Sequence, residues 1–568
     1  MSRISRFATL LVALTMALTA CAEASTTSST EVDSTTGADG EATTTSEAAG
    51  PEGRGDVLRV ALSSFAEENL NPLIMDGVTS LDLSVLIFDP IVYFDTEGNS
   101  LPGVAESWEF DDDGLGATFH IRQDMEFHDG SPLTAADVVF SLQSWMDDEL
   151  RQSATNPRWP NLVETPDDIT QVDDYTVHIA TIFAAEGLIP FFSPLEVSSN
   201  LVLPKAYIEE VGWNEFNDNP VGSGPWEFAS YTPGDQFTFT ARDSHPFREV
   251  PSFNELQVLL IPEAATRESM LRNDEIDIAA ISVESADDID GLDNVRVEER
   301  FGGQITLMNM GTWFPEEEVG PLANVMVREA LSLAIDRQEV VDTIFRGRAE
   351  PVPGSLPATI LPGVPNVEFE NWGLDETLYD PVRAQELMDE AGYPDGFTLK
   401  VFTYPLSGAP PGDLLAEVFA GYWAEIGVTT EITPIDFGTI EEMSARPPLS
   451  EEIYGTMKIH RRPRSFADET TIGKYDWNQA NGEAMLGPEG GGHVSDIHER
   501  QNMLRSLSGA ERTAYAQELG QLISSLYISP MVLNYSALWG IGNNAGEWTP
   551  NTILSQIGMG LETVQPPS

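Results

Sequence analysis

The sequence predicts an α/β protein, because strand-like and helix-like segments alternate along most of the chain. Residues 57–62 (VLRVAL) form a mostly apolar run that is typical of a strand. Several later segments have apolar residues at helical spacing, and capping residues mark where they begin and end. Roughly 500 residues follow the N-terminal segments, which is enough to bury a large core.

The helix predictions rest on start and stop signals. Thr134 and Asp137 have the spacing of a capping box, and an apolar run follows them. Asp380 followed by Pro381 predicts an N-cap and a first helical residue, and Gly392 predicts the end of that helix.

The second half of the chain continues the alternation. Residues 327–347 carry apolar residues on one helical face and predict one helix. Residues 413–426 predict another helix, which is followed by a β-branched strand at 428–432. Residues 510–526 predict a late helix that leads into an apolar strand at 530–533.

The N-terminus has the pattern of an export signal. Arg3 and Arg6 precede an apolar run over residues 7–18, which is too short to span a bilayer because a spanning helix needs about 20 apolar residues. The sequence LTAC ends this region at Cys21 and resembles the lipobox of bacterial lipoproteins. This resemblance implies a lipoprotein signal peptide over residues 1–21, with membrane lipid attached to Cys21.

The segment after the signal predicts a tether. Cys21 is the only cysteine, so the exported protein can form no internal disulfide. Residues 22–55 are rich in Ser, Thr, Gly and acidic residues, a composition that buries too little apolar surface to order the chain. A flexible acidic tether of this length reaches on the order of 30 Å. The protein is therefore expected outside the cytoplasm, anchored to the cell membrane (periplasmic or outer face).

The charge of the chain limits its partners. The formal net charge of −63 would repel nucleic acid, so no nucleic-acid partner is expected. A charge this large also opposes folding by self-repulsion, which salt screens. A saline habitat is the hypothesis that follows.

Four stretches of the chain, in order, carry a family resemblance. They are residues 102–141 (with PGVAESWEF and FHDGSPLTAADVVFS), 221–226 (VGSGPW), 327–337 (with VREAL and AIDR) and 379–397 (with YDP and EAGYPDGF). They resemble the extracytoplasmic solute-binding proteins of ABC importers, in family 5, which includes oligopeptide, dipeptide and nickel binders. The similarity extends over residues 58–533.

The resemblance implies a two-lobed fold like that of periplasmic binding proteins (type II, cluster C), with an extra inserted subdomain. The implied parts are lobe 1 at 56–310 with the inserted subdomain at about 96–204, lobe 2 at 311–535, and a C-terminal segment at 536–568 that returns to lobe 1. A hinge would close the lobes over a ligand. The chain would cross between the lobes near residues 305–312 and 530–540.

Two of the shared motifs also have a structural interpretation. Gly222 and Gly224 permit a close approach of two chain segments or a positive φ. Residues 127–130 predict a turn between a strand and a capped helix. His128 is therefore predicted to belong to the scaffold and not to the ligand site.

The resemblance also implies ligand residues, position by position. Asp76 and Val78 lie in a segment that resembles the one where oligopeptide binders contact the ligand backbone, by adding the peptide as a strand. In the cationic segment 461–468, Arg462 and Asp468 match an arginine and an aspartate of peptide binders. In those relatives the aspartate pairs with the amino terminus of the peptide.

The cationic segment also departs from the family pattern. Ser465 stands where a tryptophan is expected, and Glu469 and Thr470 replace the usual tyrosine and proline, which points away from recognition of a free amine. Arg464 adds another guanidinium, and arginine forks bind carboxylates, so a ligand with a carboxylate is predicted. Trp159 lies where relatives place a ligand-facing aromatic residue.

The resemblance finally implies a role in transport. The protein would capture a peptide or peptide-like solute and deliver it to ABC permease membrane subunits, as a monomer without a cofactor. A different solute (an opine, a sugar or a metal chelate) stays open, and so does a surface hydrolase from another class. No catalytic residue is predicted, because residues 222–224 (GSG) lack the spacing of a nucleophile elbow. No metal ligand is predicted either, because His493 and His498 are five residues apart and would not share a helix face, although a metal site in this glycine-rich loop stays open.

Overall fold

The computed structural model describes residues 54–567, with gaps at 66–67, 75–77, 95–99, 148, 151–162, 183–184, 186–187, 193–200, 313–315, 355–376, 406–411, 446–449, 463–498, 501–502, 505–506, 508 and 549–559. Cys21 and nearly all of the predicted tether lie outside these residues. No described helix is both long enough and apolar enough to cross a membrane.

Strands occur from the first described residues to the last third of the chain. They are β1 (Gly55–Leu62), β2 (Val92–Phe94), β3 (Ser100–Pro102), β4 (Ala105–Phe110), β5 (Gly116–Ile121), β6 (Ile169–Asp173), β7 (Thr176–Ala180), β8 (Trp226–Thr232), β9 (Gln236–Ala241), β10 (Phe253–Leu260), β11 (Ile278–Ala280), β12 (Val295–Asn309), β13 (Ala349–Pro351), β14 (Thr398–Thr403), β15 (Thr429–Pro434), β16 (Met457–Arg462) and β17 (Met531–Gly542).

Helices alternate with these strands. They are α1 (Val78–Ile87), α2 (Ala135–Ser144), α3 (Leu188–Phe191), α4 (Lys205–Val211), α5 (Trp213–Asp218), α6 (Ala264–Arg272), α7 (Ala286–Asp290), α8 (Glu316–Val319), α9 (Val325–Leu333), α10 (Arg337–Thr343), α11 (Pro381–Glu390), α12 (Gly412–Glu425), α13 (Phe437–Ala445) and α14 (Gly509–Ser525).

The described residues form one large mixed sheet of 11 strands. Ten of them follow the order β15-β14-β16-β12-β17-β11-β1-β10-β9-β8, and the eleventh, β13, pairs with β17 outside this order. We name the end with β8 to β11 and β1 lobe 1, and the end with β14, β15 and β16 lobe 2. In each lobe a central strand lies parallel to both neighbours: β1 between β10 and β11, and β14 between β15 and β16. Such strands are covered on both faces.

Strands β12 and β17 connect the two lobes as one antiparallel pair. Its register shifts between Phe301 and Gly303 and again between Ile305 and Thr306. On the lobe 1 side of the first shift the free edge of β17 pairs with β11, and between the two shifts it pairs with β13. Register shifts of this kind bend a strand and increase its twist, so the change of lobe coincides with them.

A separate four-stranded sheet, in the order β4-β5-β7-β6, follows the small β2-β3 hairpin in lobe 1. Its residues share one apolar core with the main sheet, since Phe119 belongs to the same buried cluster as Leu58 and Val258. Lobe 2 has two cores, one on each face of its sheet. Val401 and Phe402 are neighbours on β14 and enter different cores, because successive side chains of a strand point to opposite faces.

The predicted helix caps are confirmed. The backbone N and the Oγ1 of Thr134 both donate to Asp137 Oδ2, at 2.9 Å each, and α2 follows. Asp380 Oδ1 accepts from the backbone N of Arg383 at 2.9 Å at the start of α11. Gly392, which follows this helix, has a φ of +89°, as expected for a helix end.

The single helix predicted for residues 327–347 is wrong, because the structure contains two helices, α9 and α10. Asp336 caps the second helix, since its Oδ1 accepts from the backbone N of Glu339 at 3.0 Å. Arg337 turns inward, and its Nη1 donates to the carbonyl of Ser332 at 2.8 Å. The Asp336 cap and the buried Arg337 therefore divide the predicted helix in two, although the apolar face continues on both sides of the break.

The close chain approach predicted at Gly222 and Gly224 is confirmed. A Cβ atom on Gly222 would lie 1.8 Å from the carbonyl oxygen of Ile87, and one on Gly224 would lie 2.5 Å from that of Leu86. Only glycine fits, because the end of α1 runs directly against this segment.

Candidate ligand-binding cleft

The carboxyl ends of parallel strands from both lobes meet around one cavity. In lobe 1, β1, β10 and β11 end in a row at Leu62, Leu260 and Ala280. In lobe 2, β14 and β15 end together at Thr403 and Pro434. The cavity between them has a volume of about 640 Å³, which suits a small solute. Ligands of open α/β sheets bind at such strand ends, which makes this cavity the candidate site.

The described lining of the cavity comes from both lobes and from β17. It consists of Ser63, Pro262, Ala264, Arg267, Ala280, Ile281, Ser282, Val283, Glu284, Ile344, Thr403, Tyr404, Pro405, Gly412, Asp413, Leu414, Pro434, Ser536 and Leu538.

Arg267 holds the lobe 1 wall together. Its Nε donates to the carbonyl of Ala280 at 3.0 Å, and its Nη1 donates to those of Ile261 and Pro262 at 2.5 and 2.8 Å. Burial lowers the pKa of Arg267, against the opposing effect of Glu268 and one further glutamate. The guanidinium thus joins the ends of β10 and β11 and fixes the shape of this wall.

Glu268 orders the loop that follows β11. One of its oxygens, Oε1, accepts from the backbone N and the hydroxyl of Ser282, at 3.1 and 2.9 Å. The hydroxyl of Ser285 also donates to this oxygen. Glu268 is only 6% exposed, and these three donors satisfy its buried carboxylate. The loop that carries Ile281 and Val283 is thereby fixed at the cavity.

Tyr404 is the main aromatic residue of the lobe 2 wall. It directly follows β14 and is 6% exposed. Its hydroxyl hydrogen-bonds Nδ1 of His460, on the neighbouring strand β16. The Nζ of Lys458 lies 5.9 Å from the centre of the Tyr404 ring, within cation-π range. The ring is therefore held in place from the β16 side.

Two contacts connect the lobes beside the hinge. Arg348, which precedes β13, has its Nη2 2.6 Å from Oδ1 of Asp287 in α7. Arg346 Nη1 donates to the carbonyl of Glu284 at 3.2 Å, and Glu284 lines the cavity. The loop between α10 and β13 is thus tied to the lobe 1 wall.

The predicted ligand residues are only partly within the described chain. Asp76, Trp159, Arg464 and Asp468 lie outside the described residues. The backbones of two others are described: Val78 is the first residue of α1, and Arg462 is the last of β16.

Arg462 lies at the same edge of the sheet as part of the cavity. Strand β16 runs parallel to β14, with Phe402 opposite Lys458, so both strands end toward the cleft. Arg462 therefore ends the strand that bears Lys458 and His460, next to the wall formed by Tyr404. Its assignment to the ligand, like that of Val78, stays a prediction.

Several cavity residues were missed by sequence reasoning, among them Ile281, Tyr404 and Leu414. A usable signal was present for two of them. Tyr404 directly follows residues 398–403 (TLKVFT), whose β-branched and aromatic residues are typical of a strand, and Leu414 stands in the first turn of the predicted helix 413–426. In an α/β fold, the residues just after strand ends are the default candidates for a binding site.

His128 belongs to the scaffold, as predicted. Its Nδ1 accepts from the backbone N of Gly222 at 3.2 Å, so its Nε2 is the nitrogen that donates to the carbonyl of Gly224 at 3.0 Å. Burial lowers the pKa of His128 to about 4, which keeps the ring neutral at physiological pH.

A buried serine, aspartate and histidine occur together in lobe 1, but they lack the order of a hydrolytic relay. Ser223 Oγ donates to Asp89 Oδ2 at 2.8 Å, and His245 Nε2 lies 3.0 Å from the same oxygen. His245 Nδ1 accepts from the backbone N of Arg248 at 2.9 Å, so no ring nitrogen is left to activate the serine. The side chains of Asp89 and His245 are fully buried, so a substrate could not reach them.

The same cluster fixes the C-terminal segment to lobe 1. Arg248 Nη1 lies 3.3 Å from Asp89 Oδ1, and its Nη2 lies 2.8 Å from Glu562 Oε1. Burial alone would raise the pKa of Asp89, but His245, Arg248 and Ser223 together hold it well below its usual range. Asp89 is therefore ionised, and the cluster is structural.

Among the described residues, no group of three or more His, Cys, Asp or Glu side chains could hold a metal ion. Arg267 and Ser282 of the cavity wall bind the main chain and Glu268. Taken together, the cavity has the features of a binding site for a small solute.

Comparison with known proteins identifies the family. Residues 100–460, more than half of the chain, match the family described as bacterial extracellular solute-binding proteins, family 5 middle. Heme-binding protein A of Haemophilus influenzae is 27% identical over 425 residues, which cover 69% of this chain and 73% of the relative. The dipeptide-binding protein of Escherichia coli is 26% identical over 414 residues, which cover 67% of this chain and 72% of the relative.

A solved structure has the same fold. A periplasmic binding protein from Helicobacter pylori, in complex with the peptide STSA, superimposes with a TM-score of 0.74 at 20% identity and covers 91% of this chain and 99% of its own. This likeness confirms the predicted two-lobed α/β architecture. By its sequence match and its fold, the chain belongs to family 5 of the bacterial extracellular solute-binding proteins.

Proposed function

We propose that the protein captures a peptide or peptide-like solute between its lobes and delivers it to the membrane subunits of an ABC permease. The observation that carries this proposal is the cavity of about 640 Å³ whose walls are the strand ends of both lobes. Because β12 and β17 are the shared strands, hinge motion about them would enclose the solute and release it. The dipeptide-binding relative supports a peptide as the solute.

The proposed ligand residues extend beyond the described cavity. Arg462, Arg464 and Asp468 would contact the termini of the solute, and Asp76 and Val78 would contact its backbone. The position of Arg462 at the cleft end of β16 supports the first group. Trp159 would add an aromatic contact.

The proposed cellular arrangement is a monomer outside the cytoplasm, held by lipid on Cys21 and a tether over residues 22–55. Lobe 1 would consist of residues 56–310, with an inserted subdomain at about 96–204, and the C-terminal segment 536–568. Lobe 2 would consist of residues 311–535. A lipid anchor would keep the receptor close to its permease.

We further propose that the protein only binds its solute and does not convert it. Arg267, which lines the cavity, and Glu268, which orders the loop beside it, support this, because hydrogen bonds within the protein already engage them. The buried arrangement of Ser223, Asp89 and His245 gives the same indication.

Calorimetric and thermal-shift titrations test the function. The protein would be unfolded and refolded to remove co-purified solute, and then mixed with short peptides, a sugar, an opine and a nickel chelate. A peptide should raise the unfolding midpoint by mass action. If only a non-peptide solute raises it, the solute class is wrong, and if purified protein steadily releases product, the binding-only proposal is wrong.

Substitution of Asp468 tests the predicted peptide-terminus contact. Asp468→Ala should weaken peptides with a free amino terminus more than acetylated ones, whereas Asp112→Ala, a change of equal charge at an exposed turn, should affect neither. Equal losses for both kinds of peptide would remove Asp468 from the site.

Mass spectrometry of the protein from membranes tests the anchor. Cys21→Ser should release the protein into the soluble fraction and abolish the lipid mass. Unchanged membrane retention would contradict lipidation at Cys21.

A further inference from the structure

We propose that the cavity selects its solute by a bulky apolar or aromatic side chain and rejects an acidic one. This inference rests on the proposed binding of a peptide-like solute between the lobes. It goes further by assigning the chemistry of the side chain that enters the cavity.

The cavity walls are mainly apolar. Pro262, Ile281 and Val283 line it from lobe 1, and Tyr404 and Leu414 line it from lobe 2. Ile281 is 8% exposed and Tyr404 is 6% exposed, so both are fixed by packing beneath the cavity surface. Leu414 is half-buried, at the start of α12. Apolar walls on both sides favour an apolar group between them.

The cation of the cavity lining and those of β16 are already engaged within the protein. Arg267 donates to three main-chain carbonyls of its own wall. On β16, Lys458 is 3% exposed and Arg461 is 6% exposed, and both have partners in the folded chain. None of these three side chains can turn to an acidic solute group without giving up its present contacts.

Besides Arg267, the charged residues of the described cavity lining are negative. Glu284 and Asp413 line the cavity from opposite lobes, and both are exposed. The net charge of −63 gives a field of the same sign. A carboxylate inside the cavity would therefore lose hydration. Arg346, which reaches the same wall, already donates to the carbonyl of Glu284. A peptide's own carboxyl terminus could still be bound at Arg462 and Arg464, beyond the described lining.

Matched tripeptides test the inference by calorimetry. Ala-Phe-Ala, Ala-Ser-Ala and Ala-Glu-Ala share one backbone and both termini and differ only in the central side chain. We expect the Phe peptide to bind about tenfold or more tightly than the Ser peptide, from burial of one large apolar side chain. The Glu peptide should bind most weakly, and its deficit should shrink as salt is added.

Leu414→Asp tests the assignment to this cavity. An acidic residue in the first turn of α12 is compatible with the helix dipole, so the variant is expected to fold. It should lose the preference for Phe over Ser and should bind Ala-Lys-Ala better than the unmodified protein does. The matched control is Val172→Asp on β6, where the side chain is 61% exposed on the small sheet, and it should keep the preference.

Asp413→Asn is a second variant that leaves the apolar walls intact. It should improve binding of Ala-Glu-Ala several-fold with little effect on Ala-Phe-Ala. If the unmodified protein binds all three peptides within threefold of one another, the selectivity is overturned and the proposed binding function stands. If no peptide of any kind binds, the proposed function fails and this inference fails with it.

Discussion

Arg348 of lobe 2 forms an ion pair with Asp287 of lobe 1, with 2.6 Å between Nη2 and Oδ1. The Arg348 side chain is 25% exposed and that of Asp287 is 70% exposed, so water and salt screen the pair. Its contribution to stability is therefore expected to be below about 1 kcal/mol. Because it joins two lobes, its main effect should be on their relative position.

A double-mutant cycle of Arg348→Ala and Asp287→Ala tests this role. Each single variant should weaken solute affinity by about two- to fivefold, and the double variant should be no worse than the singles. The effect should shrink in high salt. Purely additive losses of affinity would contradict a pair that stabilises the closed lobes.

The buried Asp89 cluster should control stability much more strongly. Asp89→Asn leaves Arg248 and His245 without their carboxylate, and a loss of about 3–5 kcal/mol in the free energy of unfolding is expected. The control is Asp243→Asn, which removes an ion pair with Arg54 at a position where Asp243 is 65% exposed. That change should cost about 1 kcal/mol or less. Urea unfolding measures both, and equal losses would contradict the assigned role of burial.

Because the pKa of Asp89 is depressed, the cluster should lose its stabilising effect in acid. Its carboxylate stabilises the fold fully above its unfolded pKa of about 3.9, and this stabilisation is lost as the pH falls below that value toward the lower folded pKa. Unfolding curves of Asp89→Asn should therefore depend less on pH in this range. An unchanged difference between the two proteins from pH 5 to pH 2.5 would argue against the depressed pKa.

His128 should make the protein less stable in mild acid. Its folded pKa is about 4 and its ordinary value is 6.5, so the unfolded chain binds a proton that the folded protein excludes. Stability should fall by on the order of 3 kcal/mol as the pH decreases from 6.5 to 4. His128→Gln keeps a donor for the Gly224 carbonyl and should remove this part of the pH dependence.

The control for His128 is His120→Gln, because the side chain of His120 is 43% exposed. This variant should follow the pH profile of the unmodified protein. If both variants have the same profile, the pH dependence does not come from His128.

Substitution by alanine should have opposite effects on the stability of the protein at two glycines. Gly222→Ala places a Cβ 1.8 Å from the carbonyl oxygen of Ile87 and should destabilise the protein by about 3 kcal/mol or more, as overpacking does at its upper end. Gly421 lies within α12 with no atom near its Cβ position, so Gly421→Ala should stabilise by about 0.5–1 kcal/mol. Thermal and urea unfolding would measure both, and a neutral Gly222→Ala would refute the close approach.

The acidic surface should make stability depend on salt. With a formal charge of −63, repulsion within the folded protein weakens as ions screen it, so the urea midpoint should rise with added NaCl. Sorbitol at equal osmolality is the control for non-ionic effects. No rise with salt would refute the link between the charge and a saline habitat.

Local signals in the sequence predicted much of the scaffold. Thr134 with Asp137 and Asp380 with Pro381 start helices where predicted, because caps depend on residues only three or fewer positions apart. A close approach was one of two roles predicted for Gly222, because glycine has no side chain. Its partner Ile87 was not predicted. The α/β class and the family also followed from the sequence itself, through the alternation of elements and four ordered motifs.

The binding cavity was decided by the tertiary structure. Ile281 and Leu414 stand on different lobes and meet only because β12 and β17 carry the sheet from one lobe to the other. The burial of Arg337 against Met531 and the ion pair of Arg248 with Glu562 likewise depend on contacts with distant parts of the chain. Sequence patterns report the preferences of neighbouring residues, whereas packing between remote segments determines which side chains share a site.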